Sequence, residues 1–194
     1  MAKKHDIIWL ESVDSTNEEA KRHISDIDNL SVLSALEQTA GHGQRGNTWS
    51  SNAGENLLFS IVLKYSKDGT EVQLPPLDAK RQSAISELTA LALIEFLSRH
   101  QISAQIKWPN DIYAGDNKIC GILIENSLKG MEIDWSIIGI GLNVNQTSFP
   151  DNLLNPTSMR IENEGANIED LVSEFMDIFT RHASDLSQLQ DPQP

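Results

Sequence analysis

Apolar residues in this chain fall into short runs cut by glycine, proline and asparagine, with two longer stretches that repeat on a helical period. Ile7-Ile8-Trp9-Leu10 and Ser31 to Glu37 read as strands. Leu57 to Leu63 is an apolar run closed by Lys64, the pattern of a largely buried strand. Glu11 to Asp14 reads as a turn, and Ser15 with Glu18 three residues on has the form of a capping box, which predicts a helix from Thr16 to about Ile24. Ser83 to Arg99 is the clearest helix. Its Ile85, Leu88, Ala92 and Phe96, with Leu91, Leu93 and Leu97 alongside, form an apolar face suited to packing on a sheet.

Further on, Gln105 to Trp108 predicts a strand stopped by Pro109, which also keeps Trp108 out of the helical region. Ile112 to Ala114 and Lys118 to Asn126 predict a hairpin with a longer-than-minimal loop at Gly115 to Asn117, and Leu128-Lys129-Gly130 turns into a strand over Ile133 to Leu142. Tyr65 to Asp78, with Gly69, Pro75 and Pro76 among charged residues, reads as a surface excursion, and Gln146 to Gly165 as irregular. Asn167 is placed to cap a last helix whose Leu171, Phe175, Ile178 or Phe179, and Leu186 share a face, and Asp191 to Pro194 reads as a frayed tail. Strands outnumber helices and several are joined as hairpins. The expectation is an α+β domain with a mixed, largely antiparallel sheet and helices packed on one side.

Composition narrows the chemistry. At 194 residues the chain fits one substantial domain with a core that needs no disulfide or metal staple. The formal charge of −13 argues against nucleic acid, because a backbone binder needs a positive footprint. Cys120, the single cysteine, lies in the apolar run Ile119 to Ile124 and reads as a buried reduced thiol of a cytoplasmic protein. Met1 to Asp6 lacks the apolar core of a secretory signal, and no run approaches the roughly 18 apolar residues of a membrane span.

The candidate chemistry centres on Gly41-His42-Gly43-Gln44-Arg45-Gly46-Asn47-Thr48-Trp49. Three glycines in this spacing suit a loop that closes on phosphate or carboxylate oxygens, although the composition alone also fits a plain surface loop. It is neither a Walker A loop nor a dinucleotide fingerprint, since no Gly-Lys-Ser/Thr follows and no acidic ribose ligand comes after it in a βαβ unit. Lys107-Trp108-Pro109-Asn110-Asp111 leads through Gly115-Asp116-Asn117 to Lys118-Ile119-Cys120-Gly121-Ile122-Leu123-Ile124-Glu125, and a further segment reads Gly139-Ile140-Gly141-Leu142-Asn143-Val144-Asn145.

Together with Ser15-Thr16-Asn17 and Gln38-Thr39-Ala40-Gly41, these motifs resemble the catalytic domain of biotin protein ligases, in the family's order over roughly residues 7 to 160. The resemblance implies a class II aminoacyl-tRNA synthetase-like fold. The implied reaction joins biotin to AMP at the expense of ATP and then passes it to a lysine of the biotin carboxyl carrier domain of an acyl-CoA carboxylase. A catalytic domain over residues 1–190 is expected, without the helix-turn-helix that precedes it in some members or the small β-barrel that usually follows. Pairing of related domains through sheet edges suggests a homodimer. Lipoate or octanoate ligation on a similar fold, and biotin binding without catalysis, are the alternatives.

Residue by residue, the resemblance makes Lys118 the lysine that bridges acid and phosphate oxygens. Arg45, with the backbone of Gly41, Gly43 and Gly46, becomes the anion clamp. His42 and Gln44 stand where one form of the loop has arginines; glutamine supplies donors but no charge. Ser15, Thr16 and Gln38 fall at the biotin ureido group, with Asn17 of the same motif among the cofactor-binding residues, Gly121 beside the fused rings, and Asn143 near adenine with Asn145 a weaker companion. Lys107 lines the triphosphate path or supports the Trp108-Pro109 geometry, and the Trp108 ring either packs near adenine or is an ordinary buried tryptophan. Asp111 is the candidate ligand for Mg²⁺, which wants oxygen ligands and takes one or two from protein; it could alternatively receive the attacking amine's proton. Trp49 reads as a hinge or core anchor.

Overall fold

The structure is a computed structural model that describes residues 6–65 and 77–188, apart from the side chains of Arg45 and residues 185–188. Its strands are β1 (Ile7–Val13), β2 (Val32–Gln38), β3 (Leu57–Lys64), β4 (Leu77–Asp78), β5 (Ala104–Lys107), β6 (Asp111–Ala114), β7 (Asn117–Lys129) and β8 (Glu132–Leu142). The helices are α1 (Thr16–Arg22), α2 (Ser83–Arg99), α3 (Met159–Glu162) and α4 (Ile168–Gln188). The sheet runs β1-β2-β3-β8-β7-β6-β5, with β4 paired to one end of β8. Only β1 and β2 pair in parallel; the other described pairs are antiparallel.

The alternation of side chains along β3 divides the molecule. Leu57, Phe59, Ile61 and Leu63 face the main core, built with α2 and α4, where the Phe175 ring stands edge-on to Phe59 and Phe96 at centroid distances of 5.5 and 5.9 Å. Ser60 and Val62 point the other way, toward α1 and a small cluster of Ala20, Ile27, Leu33 and Ile137. The two long helices thus cover one face as expected, and α1 adds a partial layer on the opposite face.

Several local expectations shift. β1 continues to Val13 through the expected turn, because its pairing with β2 holds as far as Gln38. The capping box does not form: the Ser15 side chain caps nothing. Instead Asp14 Oδ1 accepts from Ser15 N (2.7 Å), Gln38 Oε1 accepts from Thr16 N (2.7 Å), and Glu18 is drawn to Lys21 (2.7 Å). The β6–β7 loop is the minimal two residues, with Gly115 at φ +56 and Ala114 opposite Asn117; the irregularity is a register shift between Ile112 and Tyr113. Leu91 is half exposed, outside the buried stripe of α2. A short helix, α3, interrupts the segment read as irregular, capped by Ser158 Oγ. The Asn167 cap forms, with Oδ1 accepting from Glu169 N at 3.3 Å. Residues 66–76 of the predicted surface excursion, the Leu186 side chain and the tail lie outside the described residues. No helix among the described residues is long and apolar enough to cross a membrane.

Candidate active site

A cavity of about 280 Å³ opens on the α1 face of the sheet. The start of α1 supplies Ser15, Thr16 and Asn17, and the end of β2 supplies Gln38. The glycine loop contributes His42, Gly43, Gln44 and Asn47 to Trp49. The floor comes from Pro109 to Asp111 at the start of β6, Lys118 and Gly121 to Leu123 on β7, and Gly139 to Gly141 on β8.

The glycine loop is more structured than its composition suggests. It doubles back as a narrow ribbon: His42 bridges Thr48, Gly43 N donates to Asn47 O (2.7 Å), and Trp49 N donates to Gly41 O (2.8 Å). The Gly43 N–H expected to face an anion is therefore already committed to the loop itself. Arg45 belongs to the 3₁₀ turn Gln44–Gly46, and its side chain lies outside the described residues.

Trp49 is a wall of the cavity and anchors the loop on the sheet, in keeping with the anchor reading. Its ring lies on β7 and β8 so closely that a Cβ at Gly141 would stand 2.4 Å from Trp49 Cε2, and one at Gly121 2.9 Å from Cζ3. Those two positions must lack side chains for the indole to fit, and the space expected beside Gly121 is filled by this ring. The indole Nε1 is buried with no hydrogen-bond partner among the described residues.

Lys118 and Asp111 meet across the β6–β7 hairpin with Nζ and Oδ1 2.7 Å apart, each side chain between a quarter and a third exposed. Asn110 Nδ2 also donates to Asp111 Oδ1 (3.2 Å), and Lys118 Nζ stands 5.6 Å from the Trp49 ring centroid. The backbone of Lys118 is fixed on both sides, donating to Asn155 O (2.7 Å) and accepting from Thr157 N (2.9 Å). Lys118 is the one lysine or arginine among the described lining residues. No cluster of three or more His, Cys, Asp or Glu able to hold a metal occurs among the described residues, so Asp111 is a lone carboxylate there.

At the other end, Gln38 turns its Oε1 to Thr16 N (2.7 Å) and lies 3.2 Å from Thr16 Oγ1, while its Nε2 makes no hydrogen bond among the described residues. Thr16 Oγ1 also meets Ser60 Oγ at 2.7 Å, and Ser60 Oγ meets Asn17 Oδ1 at 2.6 Å. Cys120 lies next to the site in sequence but points into the core, fully buried, and burial pushes its thiol well above the usual range. It is not poised as a nucleophile.

Ser15, Thr16, Asn17, Gln38, His42, Gly43, Gln44, Asp111, Lys118 and Gly121 thus come together around one cavity, with Gly41 at the loop's base. Other predicted residues do not. Lys107 Nζ sits 4.2 Å over the Tyr113 ring. Trp108 is 85% exposed and lines a neighbouring apolar groove with Leu91 and Ile106. Asn143 is buried behind the floor, donating from Nδ2 to Thr157 O (2.8 Å), with its Oδ1 unpartnered. Asn145 serves structure, bonded to Ala166 and Arg160. Ser60 escaped the sequence reading; a lone hydroxyl inside the apolar run Leu57 to Leu63 was the signal available.

The sequence model of the biotin/lipoate A/B protein ligase family matches residues 9–143, more than half of the chain. The biotin–[acetyl-CoA-carboxylase] ligase of Paracoccus denitrificans is 34% identical over 138 residues, covering 70% of this chain and 53% of the relative. The bifunctional ligase/repressor BirA of Bacillus spizizenii is 31% identical over 141 residues, 71% of this chain and 40% of that protein. The chain thus spans about half the length, or less, of the curated relatives it matches. Among solved structures, the biotin protein ligase of Aquifex aeolicus in complex with biotin and ATP superimposes with a TM-score of 0.75 at 26% identity, covering 94% of this chain and 72% of that one. The Leishmania major biotin protein ligase in complex with biotin gives 0.68 at 26% identity, covering 93% and 73%.

Proposed function

This chain belongs to the biotin/lipoate A/B protein ligase family, and from that premise we propose that it activates biotin with ATP and passes it to a carrier-protein lysine. The observation that carries the reading is the division of the cavity: a neutral hydrogen-bonding end at Ser15, Thr16 and Gln38, and a charged end at Lys118 and Asp111. Biotin has the same division, with a ureido group at one end and a carboxylate at the other. The Aquifex aeolicus relative, solved with biotin and ATP, supports this pair of substrates.

In the first half-reaction a biotin carboxylate oxygen attacks the α-phosphorus of ATP. The bond from that phosphorus to the bridging oxygen breaks, pyrophosphate leaves, and biotinyl-5′-AMP remains. Lys118 supplies fixed positive charge where the two anions meet. Arg45, on the loop beside it, is the second candidate cation, and His42 and Gln44 add donors. Mg²⁺ fits as an ion carried in by ATP that screens the triphosphate, since one protein carboxylate suffices for it and Asp111 is available. In the second half-reaction the neutral ε-amine of the carrier lysine attacks the acyl carbon, AMP leaves with the bonding electrons, and the amine's proton passes to a base, a role open to Asp111.

The acceptor in this reading is a biotin carboxyl carrier domain of an acyl-CoA carboxylase, encountered in the cytoplasm. The edge strands β1 and β5 offer the surfaces through which a homodimer could form. The test is ATP–pyrophosphate exchange driven in turn by biotin, lipoate and octanoate. Biotin alone is expected to support exchange. Exchange with lipoate or octanoate and none with biotin overturns the biotin assignment, and tight biotin binding with no exchange replaces the ligase with a biotin-binding protein.

A further inference from the structure

Behind the neutral end of the cavity a chain of hydrogen bonds leads from the surface to Thr16. Lys21 Nζ is paired with Glu125 Oε1 at 2.7 Å; Glu125 Oε2 accepts from Asn17 Nδ2 at 2.8 Å, and Leu123 O lies 3.3 Å from the same nitrogen. Asn17 Oδ1 faces Ser60 Oγ at 2.6 Å, and Ser60 Oγ faces Thr16 Oγ1 at 2.7 Å. Asn17 and Thr16 are each 3% exposed and Ser60 is fully buried, so these atoms satisfy one another. Gly139 makes the arrangement possible, because a Cβ there would stand 2.4 Å from Asn17 Oδ1.

Counting donors fixes the direction of every hydrogen. A carboxylate and a backbone carbonyl only accept, so they hold the Asn17 amide with Nδ2 toward β7 and Oδ1 toward Ser60. An amide oxygen cannot donate, so the Ser60 hydrogen goes to Asn17. Ser60 Oγ is left to accept from Thr16, whose one hydroxyl hydrogen is then used. The other neighbour of Thr16 Oγ1 is Gln38 Oε1, at a longer 3.2 Å and already served by Thr16 N at 2.7 Å. What Thr16 turns to the cavity is a lone pair.

We propose that Ser60 is a positioning residue that, through the chain Glu125–Asn17–Ser60–Thr16, locks Thr16 as an acceptor and makes the site select a ring bearing an N–H. The proposal rests on the biotin reading above and deepens it: the ureido ring offers N–H groups, whereas an isosteric cyclic carbamate, with ring oxygen in place of one N–H, sets lone pair against lone pair. Ser60 touches no ligand. Its effect is to deny Thr16 the freedom to turn its hydrogen toward one.

The experiment measures dissociation constants of the whole chain by calorimetry for biotin and for the two carbamate analogues in which either ureido N–H is replaced by oxygen, with desthiobiotin as a control that keeps the urea. Wild type is expected to bind one carbamate at least about tenfold more weakly than biotin, because a fixed acceptor left facing a lone pair is unsatisfied. In Ser60→Ala the Thr16 hydrogen loses its 2.7 Å neighbour and keeps only the longer 3.2 Å contact to Gln38 Oε1, so it can turn toward a ring oxygen, and that ratio should fall to within about threefold while the desthiobiotin ratio stays unchanged. Ser60→Cys, close in volume with a weak thiol donor, should give an intermediate ratio and carries the test if the alanine variant does not fold. A carbamate ratio that stays at its wild-type value while all affinities drop together overturns the proposal and leaves Ser60 a packing residue. Failure of the wild type to bind biotin at all overturns the functional reading, and the relay's role with it.

Discussion

Replacing Lys118 by alanine separates structure from chemistry at this site. The side chain makes one ion pair, to Asp111 at 2.7 Å, with both partners a quarter to a third exposed, and it stands 5.6 Å from the centre of the Trp49 ring. A pair in that setting is worth about 0–1 kcal/mol, and the ring contact about as much again at most. Asp111 keeps Asn110 Nδ2 as a partner and some solvent, so no carboxylate is stranded. The fold should lose no more than about 2 kcal/mol. Loss of one charge-assisted contact to the transition state should cost adenylate formation at least about a hundredfold, equivalent to about 2.7 kcal/mol. Biotin binding without ATP should change much less, since the neutral end of the cavity is built from other residues. The assay is single-turnover formation of biotinyl-AMP, with transfer from supplied biotinyl-AMP to a carrier domain measured separately and urea unfolding as control. Near-normal adenylation in the variant refutes the reasoning, and normal adenylation with failed transfer reassigns Lys118 to the second half-reaction.

Three other perturbations probe the surroundings. Gly141→Ala puts a methyl 2.4 Å from Trp49 Cε2 and must displace the indole. Stability should fall by about 1–3 kcal/mol and the tryptophan emission should shift, a shift that must vanish in a Trp49→Phe background. Cys120, fully buried with its thiol held well above its usual range, should resist iodoacetamide in the folded chain and react fully in urea; rapid native-state alkylation contradicts the packing. Hydrogen bonds from Arg181, then His182 and Arg99, hold the Glu95 carboxyl down at about 2 against the opposing effect of burial. A depressed folded-state value contributes stability that is fully present above the ordinary value of 4.5 and is lost as pH falls toward about 2. With the side chain 30% exposed, screening limits this to a surface-pair value. Glu95→Gln should therefore unfold about 0.2–1 kcal/mol more easily near pH 7, with the gap closing by pH 2 in urea titrations.

What the sequence reveals and what it hides differ in range. Ser83–Arg99 is a helix over its predicted length because its apolar period is local and long. Leu57 to Leu63 is buried throughout because a continuous apolar run has no solvent face to give. The motif residues around the cavity are legible because they stand in motifs that resemble a known family's, and the fold brings them together. Caps and turns fared worse: Ser15 looks like a capping residue, yet Gln38, from a strand 22 positions on, takes the Thr16 N–H. No local pattern encodes that bond. The surface Trp49 anchors to and the part played by Ser60 are hidden for the same reason, since they depend on glycines of β7 and β8 and on Asn17 of α1, which only the closed sheet brings to them.

A net charge of −13 does not forbid an anionic substrate here, because the quantity that matters is local. At physiological ionic strength exposed charges more than about 8 Å away are largely screened. Within the described cavity wall Lys118 and Asp111 cancel, so an entering carboxylate or phosphate meets a neutral, donor-rich surface. Asp111 also does the lysine a service. A free lysine samples many rotamers and loses up to about 2 kcal/mol of side-chain entropy when one is selected. Here the ion pair to Asp111 already restricts the side chain before any substrate arrives, on a main chain that the hydrogen bonds to Asn155 and Thr157 hold in place. The electrostatic competition between Asp111 and an incoming oxygen is thus partly offset by an ammonium that the ion pair has already placed, which is how the proposed reaction is compatible with an acidic chain.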